Sequence, residues 1–126
     1  MNFPINLKYT SQHEWVLVDG STAKIGITDF AQSELGDVVF LELAPIGKKV
    51  HAGESLGTIE AVKTVAELYS PLSGEVISLN EKVNASPEIV NRDPYGDGWM
   101  MQLRLTDIKE LESLMDADAY KKLVGQ

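Results

Sequence analysis

Over most of the chain, apolar and polar residues alternate in short runs closed by glycine, proline or aspartate, the rhythm of half-buried β-strands. His13-Glu14-Trp15-Val16-Leu17-Val18 and Thr22-Ala23-Lys24-Ile25-Gly26-Ile27 are two such runs on either side of Asp19-Gly20-Ser21, which predicts a hairpin with Trp15 as a core anchor. Val38 to Leu43 is a further strand, ended by Pro45 and Gly47. Gly57 to Pro71 reads as two short strands, with Lys63 where the first hands over to the second. Gly74-Glu75-Val76-Ile77-Ser78-Leu79 echoes Gly36-Asp37-Val38-Val39-Phe40-Leu41, and copies on both sides of a hairpin suit two related halves of a sheet. Trp99 to Leu105 is the last predicted strand.

A 3.6-residue rhythm replaces this alternation in three places. Asp29 to Leu35 is a short helix capped by Thr28 and stopped by Gly36, with Phe30, Ala31, Glu34 and Leu35 at helical spacing and the apolar ones facing the sheet. Pro87-Glu88-Ile89-Val90-Asn91 reads as one helical turn with proline at its first position. From Thr106 onward Ile108, Leu111, Leu114 and Met115 share a face, and Asp116 caps a second piece that runs through Tyr120 and Leu123 to Gly125. This segment is expected to pack on the sheets as core, because a membrane-binding helix would carry a basic polar face and this one starts acidic.

Composition narrows the classes of function. A chain of 126 residues with 44% hydrophobic content suits one domain able to bury its own core. Nineteen acids against eleven bases give a formal charge of −8, which disfavours nucleic acid and suits solubility and docking onto basic protein surfaces. No run approaches a transmembrane length, and Met1 to Asn6 lacks the charged and apolar regions of a signal peptide, so a cytoplasmic protein or a mature organellar form is expected. Cysteine is absent, so redox sulfur would have to arrive on a cofactor. His13 and His51 are the two histidines, too few for a metal cluster, and a glycine loop for phosphate is disfavoured by Asp93 and Asp97. No nucleophile elbow or acid–base constellation stands out, which fits a carrier whose chemistry is held by a cofactor.

Lys63 is the position that draws attention. A lysine in a turn is ordinarily a solvated charge, but this one has Glu60 three residues before it and Glu67 four after, with small or apolar side chains between. That surrounding distinguishes one amine among nine lysines. Lys48 and Lys49 are equally accessible rivals without such flanks.

Glu60-Ala61-Val62-Lys63 followed by Tyr69-Ser70-Pro71 resembles the lipoyl-attachment segment of the H proteins of the glycine cleavage system, with Ala61 where serine is commoner. Biotin carriers flank the modified lysine with methionines, where this chain has Val62 and Thr64, and the Asp-Lys-Ala of oxo-acid dehydrogenase lipoyl domains is missing. Three further stretches resemble the same family: Tyr9-Thr10 with His13-Glu14-Trp15, Gly26 to Gln32 with Leu35 to Val39, and Pro87 to Trp99.

The resemblance implies a mainly β, barrel-sandwich hybrid fold in which residues 1–126 form a single lipoyl-carrier domain and 106–126 a C-terminal helical extension packed on the barrel. It implies lipoate joined by an amide bond to Lys63 as N6-lipoyllysine, on a non-catalytic carrier. Its partners would be the pyridoxal-phosphate glycine decarboxylase, the tetrahydrofolate-dependent aminomethyltransferase, dihydrolipoamide dehydrogenase and lipoate-attaching enzymes, with a monomer as the expected state. Glu14, Glu60 and Glu67 are the candidates to line a groove that receives the loaded arm. A lipoyl or octanoyl relay protein would use the same lysine, and an unmodified β-sandwich adaptor would leave it as ordinary surface.

Overall fold

The computed structural model describes residues 1–125. Among the described residues nine strands make two antiparallel sheets. The larger contains β1 (Lys8–Tyr9), β2 (Glu14–Asp19), β3 (Thr22–Ile27), β5 (Lys49–Val50), β8 (Gly74–Leu79) and β9 (Met101–Leu105), in the order β1-β2-β3-β9-β8-β5. The smaller is β4 (Val38–Leu43), β6 (Ser55–Ala61) and β7 (Val65–Tyr69), with β6 central. Alternate residues of both sheets point inward, and Ile25, Leu41, Leu56, Ile59, Leu68, Val76 and Leu103 meet between them in one buried cluster. The chain is thus mainly β, a sandwich of two sheets with short helices, as the alternation predicts. The two echoed segments contribute one strand to each sheet, β4 and β8.

A second cluster lies on the outside of the larger sheet. Phe3, Leu7, Tyr9, Trp15, Ala117 and Tyr120 are buried there, with Tyr9 and Tyr120 stacked at a centroid separation of 4.8 Å. Tyr120 comes from α4 (Ala117–Val124), whose N-cap Asp116 accepts from the Ala119 N–H and whose C-cap Gly125 is left-handed. Trp15 faces Gly26 across the β2–β3 ladder, and a Cβ at Gly26 would stand 2.7 Å from the indole ring. Glycine is therefore required for the ring to lie flat on the neighbouring strand, where its Nε1–H reaches the Pro94 carbonyl at 2.9 Å.

Helix α1 (Asp29–Leu35) has the expected bounds, with the Thr28 hydroxyl accepting from the Ala31 N–H at 3.1 Å. Other expectations change. Ile108–Ser113 is a 3₁₀ helix and not α, so its shared face divides: Leu111 and Leu114 pack on the main core, Met115 on the second cluster, and Ile108 is exposed. A helix α2 (Glu81–Ala85), capped by Asn80, was not foreseen. The turn at Pro87 becomes helical from Ile89, as α3 (Ile89–Arg92). Trp99 stays outside β9 because its carbonyl, with that of Asp97, accepts from the Asn80 amide at 2.7 Å.

Candidate functional site

β6 and β7 form a hairpin whose turn is Val62-Lys63-Thr64. The turn closes through the Ala61 N–H to the Thr64 carbonyl at 2.8 Å. It is held from outside as well, because the Val62 N–H donates to the carbonyl of Asp37 at 2.9 Å, just beyond α1. Lys63 is exposed at this tip, and among the described residues it takes part in no salt bridge. Its aliphatic stem runs beside Gly36, the C-cap of α1 with a positive φ of 78°, where a Cβ would come within 3.4 Å of Cδ and Cε. Lys48 and Lys49 are also exposed, on the approach to and within the short strand β5.

A cavity of about 240 Å³ opens on the same flank of the molecule. Phe30, Ala31, Glu34 and Leu35 of α1 form one wall, Ile59, Ala66 and Glu67 of the hairpin another, and His13, Glu14 and Ile27 complete it with Gln12. Leu35 directly precedes the Gly36 that borders the Lys63 stem, so the cavity and the amine share one helix end. On the other side of Glu14 is a second cavity of about 410 Å³, bounded by the segment Tyr9 to Gln12, by Tyr69 to Pro71 and by Ser113 to Met115.

Glu14 is the buried acid of the site, only 2% exposed although it lines both cavities. Its Oε1 accepts from the Thr10 hydroxyl at 2.6 Å. Burial pushes its pKa up to about 7, partly offset by the hydrogen bonds of Thr10 and of the Tyr69 backbone. Beside it, His13 has a left-handed backbone with φ of 70°, rare for a residue with a Cβ. Its Nδ1 lies 2.8 Å from the Tyr120 hydroxyl, which lies 2.8 Å from the buried Thr28 hydroxyl. A continuous polar chain therefore runs from His13 through α4 to the cap of the cavity helix. Burial lowers the His13 pKa, and the Glu34 carboxylate works against that.

The three acids proposed for a groove separate. Glu14 and Glu67 face one cavity, with the Glu67 carboxylate accepting from the Ser55 hydroxyl. Glu60 lies outside both cavities, because its neighbours Ile59 and Ala61 take the buried positions of β6 and leave it on the solvent face. Glu34 takes the third place. Its signal was already in the helical spacing, as a carboxylate on the same stripe as Phe30, Ala31 and Leu35. Among the described residues no group of three or more potential ligands gathers in a geometry that would hold a metal ion.

A mostly apolar pocket edged by three acidic residues, Glu14, Glu34 and Glu67, is suited to an apolar chain ending in a cation. A flexible arm on Lys63 would begin at the helix end that borders this pocket.

Residues 7–126 match the family model described as Glycine cleavage H-protein. The chain is 51% identical over 125 residues to the glycine cleavage system H protein of Bacteroides thetaiotaomicron, covering 99% of both. It is 55% identical over 127 residues to that of Chlorobium phaeobacteroides, again covering 99% of both. The crystal structure of a glycine cleavage system H protein from Mycobacterium marinum superposes with a TM-score of 0.90 at 35% identity, over 98% of this chain and 100% of that one.

Proposed function

This chain belongs to the glycine cleavage H-protein family, and on that footing we propose that it is the lipoyl-bearing carrier of the glycine cleavage system, loaded at Lys63. The observation that carries the reading is the position of Lys63, exposed at the tip of the β6–β7 hairpin with its stem against the end of the cavity helix. Membership of the family makes it a carrier component. As a finer proposal, it takes an aminomethyl fragment from the pyridoxal-phosphate glycine decarboxylase to the tetrahydrofolate-dependent aminomethyltransferase, then presents a dithiol to dihydrolipoamide dehydrogenase. Lipoate joined by an amide bond to Lys63 Nζ supplies the disulfide that this chain, without cysteine, does not have.

The protein's own part is to hold and to shelter. Ile27, Phe30, Ala31, Leu35 and Ile59 give the cavity an apolar lining that limits water, which suppresses hydrolysis of a reactive fragment. Glu14, Glu34 and Glu67 supply negative charge for the protonated amine of that fragment. Because Glu14 is held neutral up to about pH 7, its attraction for a cation grows as pH rises through neutrality, and a bound cation in turn favours the ionised carboxylate. Sheltering is therefore expected to weaken as the solution is acidified below pH 7.

Intact mass tests the reading. Protein treated with a lipoate-attaching enzyme, lipoate and ATP gains the mass of one lipoyl group, and Lys63→Arg gains none. A wild-type chain that stays at its unmodified mass would remove the proposal. Reconstitution with glycine and the three partner enzymes distinguishes glycine cleavage from lipoyl relay duty, since only the former yields carbon dioxide that depends on this carrier.

A further inference from the structure

Asn91, on the short helix α3, holds three groups of one neighbouring segment with a single side chain. Its Nδ2 donates to the Gly36 carbonyl at 2.9 Å and to the Gln32 Oε1 at 3.1 Å, and its Oδ1 accepts from the Val38 N–H at 2.9 Å. Both amide protons are used, and the partners fix which way the amide points, since a main-chain N–H must meet oxygen and a carbonyl must meet N–H. Val90, beside it, is fully buried in the main core, so α3 is anchored and the amide acts as a fixed clamp. The segment it grips leads from α1 into β4. Two contacts of that segment reach the Lys63 turn: the Asp37 carbonyl accepts from the Val62 N–H, and Gly36 lies against the lysine stem. The same helix end gives Glu34 and Leu35 to the smaller cavity. A side chain that lines neither cavity therefore ties the root of the arm to the wall of the pocket.

We propose that Asn91 is a positioning residue for the arm on Lys63: by clamping the chain between α1 and β4 it sets where the arm starts relative to the smaller cavity, and so how much of the time the loaded end is sheltered. This rests on the carrier reading above and adds a residue that acts through others. A tethered group docks intramolecularly, and its occupancy of a pocket follows the effective concentration that its anchor point imposes. The hairpin turn has one bond across itself, from the Ala61 N–H to the Thr64 carbonyl, and its hold from outside runs through Asp37. Releasing the clamp lets the turn and the cavity helix move apart without opening either sheet. An asparagine that served the fold alone would change stability and leave the sheltered fraction as it was.

The test uses the full chain lipoylated at Lys63, charged from glycine by purified pyridoxal-phosphate decarboxylase and then separated from it. Unsheltered, the S–CH₂–NH₃⁺ group reacts with one water. The bonds from carbon to sulfur and to nitrogen break, the water oxygen becomes that of formaldehyde, and its two protons go to the sulfur and the nitrogen, giving thiol and ammonium. Asn91→Ala, and Asn91→Asp, which keeps the acceptor for Val38 but loses both donors, should release formaldehyde about three to ten times faster than wild type at a temperature where melts show each fully folded. Both should still take up the lipoyl group at Lys63 to completion. Hydrogen exchange separates positioning from stability: in Asn91→Ala the Val62 amide should lose protection while those of Ile25 and Leu103 in the larger sheet keep theirs. The Glu14 carboxyl, followed by ¹³C NMR, should titrate as in wild type, because the pocket itself is intact. Decay within about twofold of wild type in both variants, protection lost evenly across both sheets, or a displaced Glu14 titration would each overturn the positioning role and leave the carrier reading standing. A wild-type chain that takes up no lipoyl group would overturn both.

Discussion

Replacing Glu14 by glutamine should make the protein more stable at neutral pH, and by an amount that depends on pH in a specific way. Burial raises the folded-state pKa of this carboxyl from its ordinary 4.5 to about 7. Below pH 4.5 the group is neutral in both folded and unfolded chains and costs nothing. Between 4.5 and 7 the unfolded chain releases the proton while the folded one keeps it, so stability falls as pH rises, and above 7 the loss is complete. A gap of about 2.5 pH units at about 1.36 kcal/mol each makes the full cost roughly 3 kcal/mol. Glutamine keeps an oxygen to accept from the Thr10 hydroxyl, now 2.6 Å from Oε1, and never ionises. The variant should therefore exceed wild type by up to about 3 kcal/mol at pH 8, with the difference closing toward pH 4.5. Urea unfolding of both proteins at pH 5 and pH 8 measures this directly. A difference of the same size at both values, or a variant weaker at pH 8, would refute the argument that desolvation governs this carboxyl. If the prediction holds, the chain retains at its own expense a charge whose use lies in the cavity.

Three other outcomes follow from the geometry. Tyr120→Phe removes the hydroxyl shared by His13 and Thr28, and should cost about 1–3 kcal/mol in urea unfolding; a change under about 0.5 kcal/mol would mean the polar chain contributes little. Gly26→Ala sets a methyl 2.7 Å from the Trp15 ring and should cost about 1–3 kcal/mol with a shifted Trp15 fluorescence maximum, whereas an unchanged melt and spectrum would contradict the close contact. Lys63→Arg should melt within about 0.5 kcal/mol of wild type, since the residue is exposed and takes part in no salt bridge among the described residues; a larger loss would show that the position supports the fold.

Local chemistry made much of the architecture readable. Thr28, Asp29 and Gly36 mark the bounds of α1 by capping alone, and the Gly-bearing turn after Asp19 specifies the β2–β3 hairpin. The tip position of Lys63 was equally accessible, because strand periodicity breaks around it. What the chain order hides is burial set by distant partners. Alternation gives Glu14 and Trp15 opposite faces, yet both are buried, since β2 has the inter-sheet core on one side and the Tyr9–Tyr120 cluster on the other. The spacing of Ile108, Leu111 and Leu114 fits α and 3₁₀ helices alike, and in the 3₁₀ form Leu111 and Leu114 reach the core while Ile108 stays exposed. Glu60 and Glu67 looked equivalent around Lys63, and the ladder leaves both exposed, opposite Val65 and Thr58, yet only Glu67 stands far enough from the tip to border the cavity.

The stacked Tyr120 has a consequence for how this protein would fail. It belongs to α4, outside both sheets, yet its hydroxyl fastens the threonine that starts the pocket's helical wall. A cut ahead of that helix would free the threonine hydroxyl and uncover Tyr9 and Trp15, loosening the shelter while leaving the distant hairpin tip in place. On the carrier proposal, such a clipped molecule would still accept its prosthetic group, and would spill its cargo on the way.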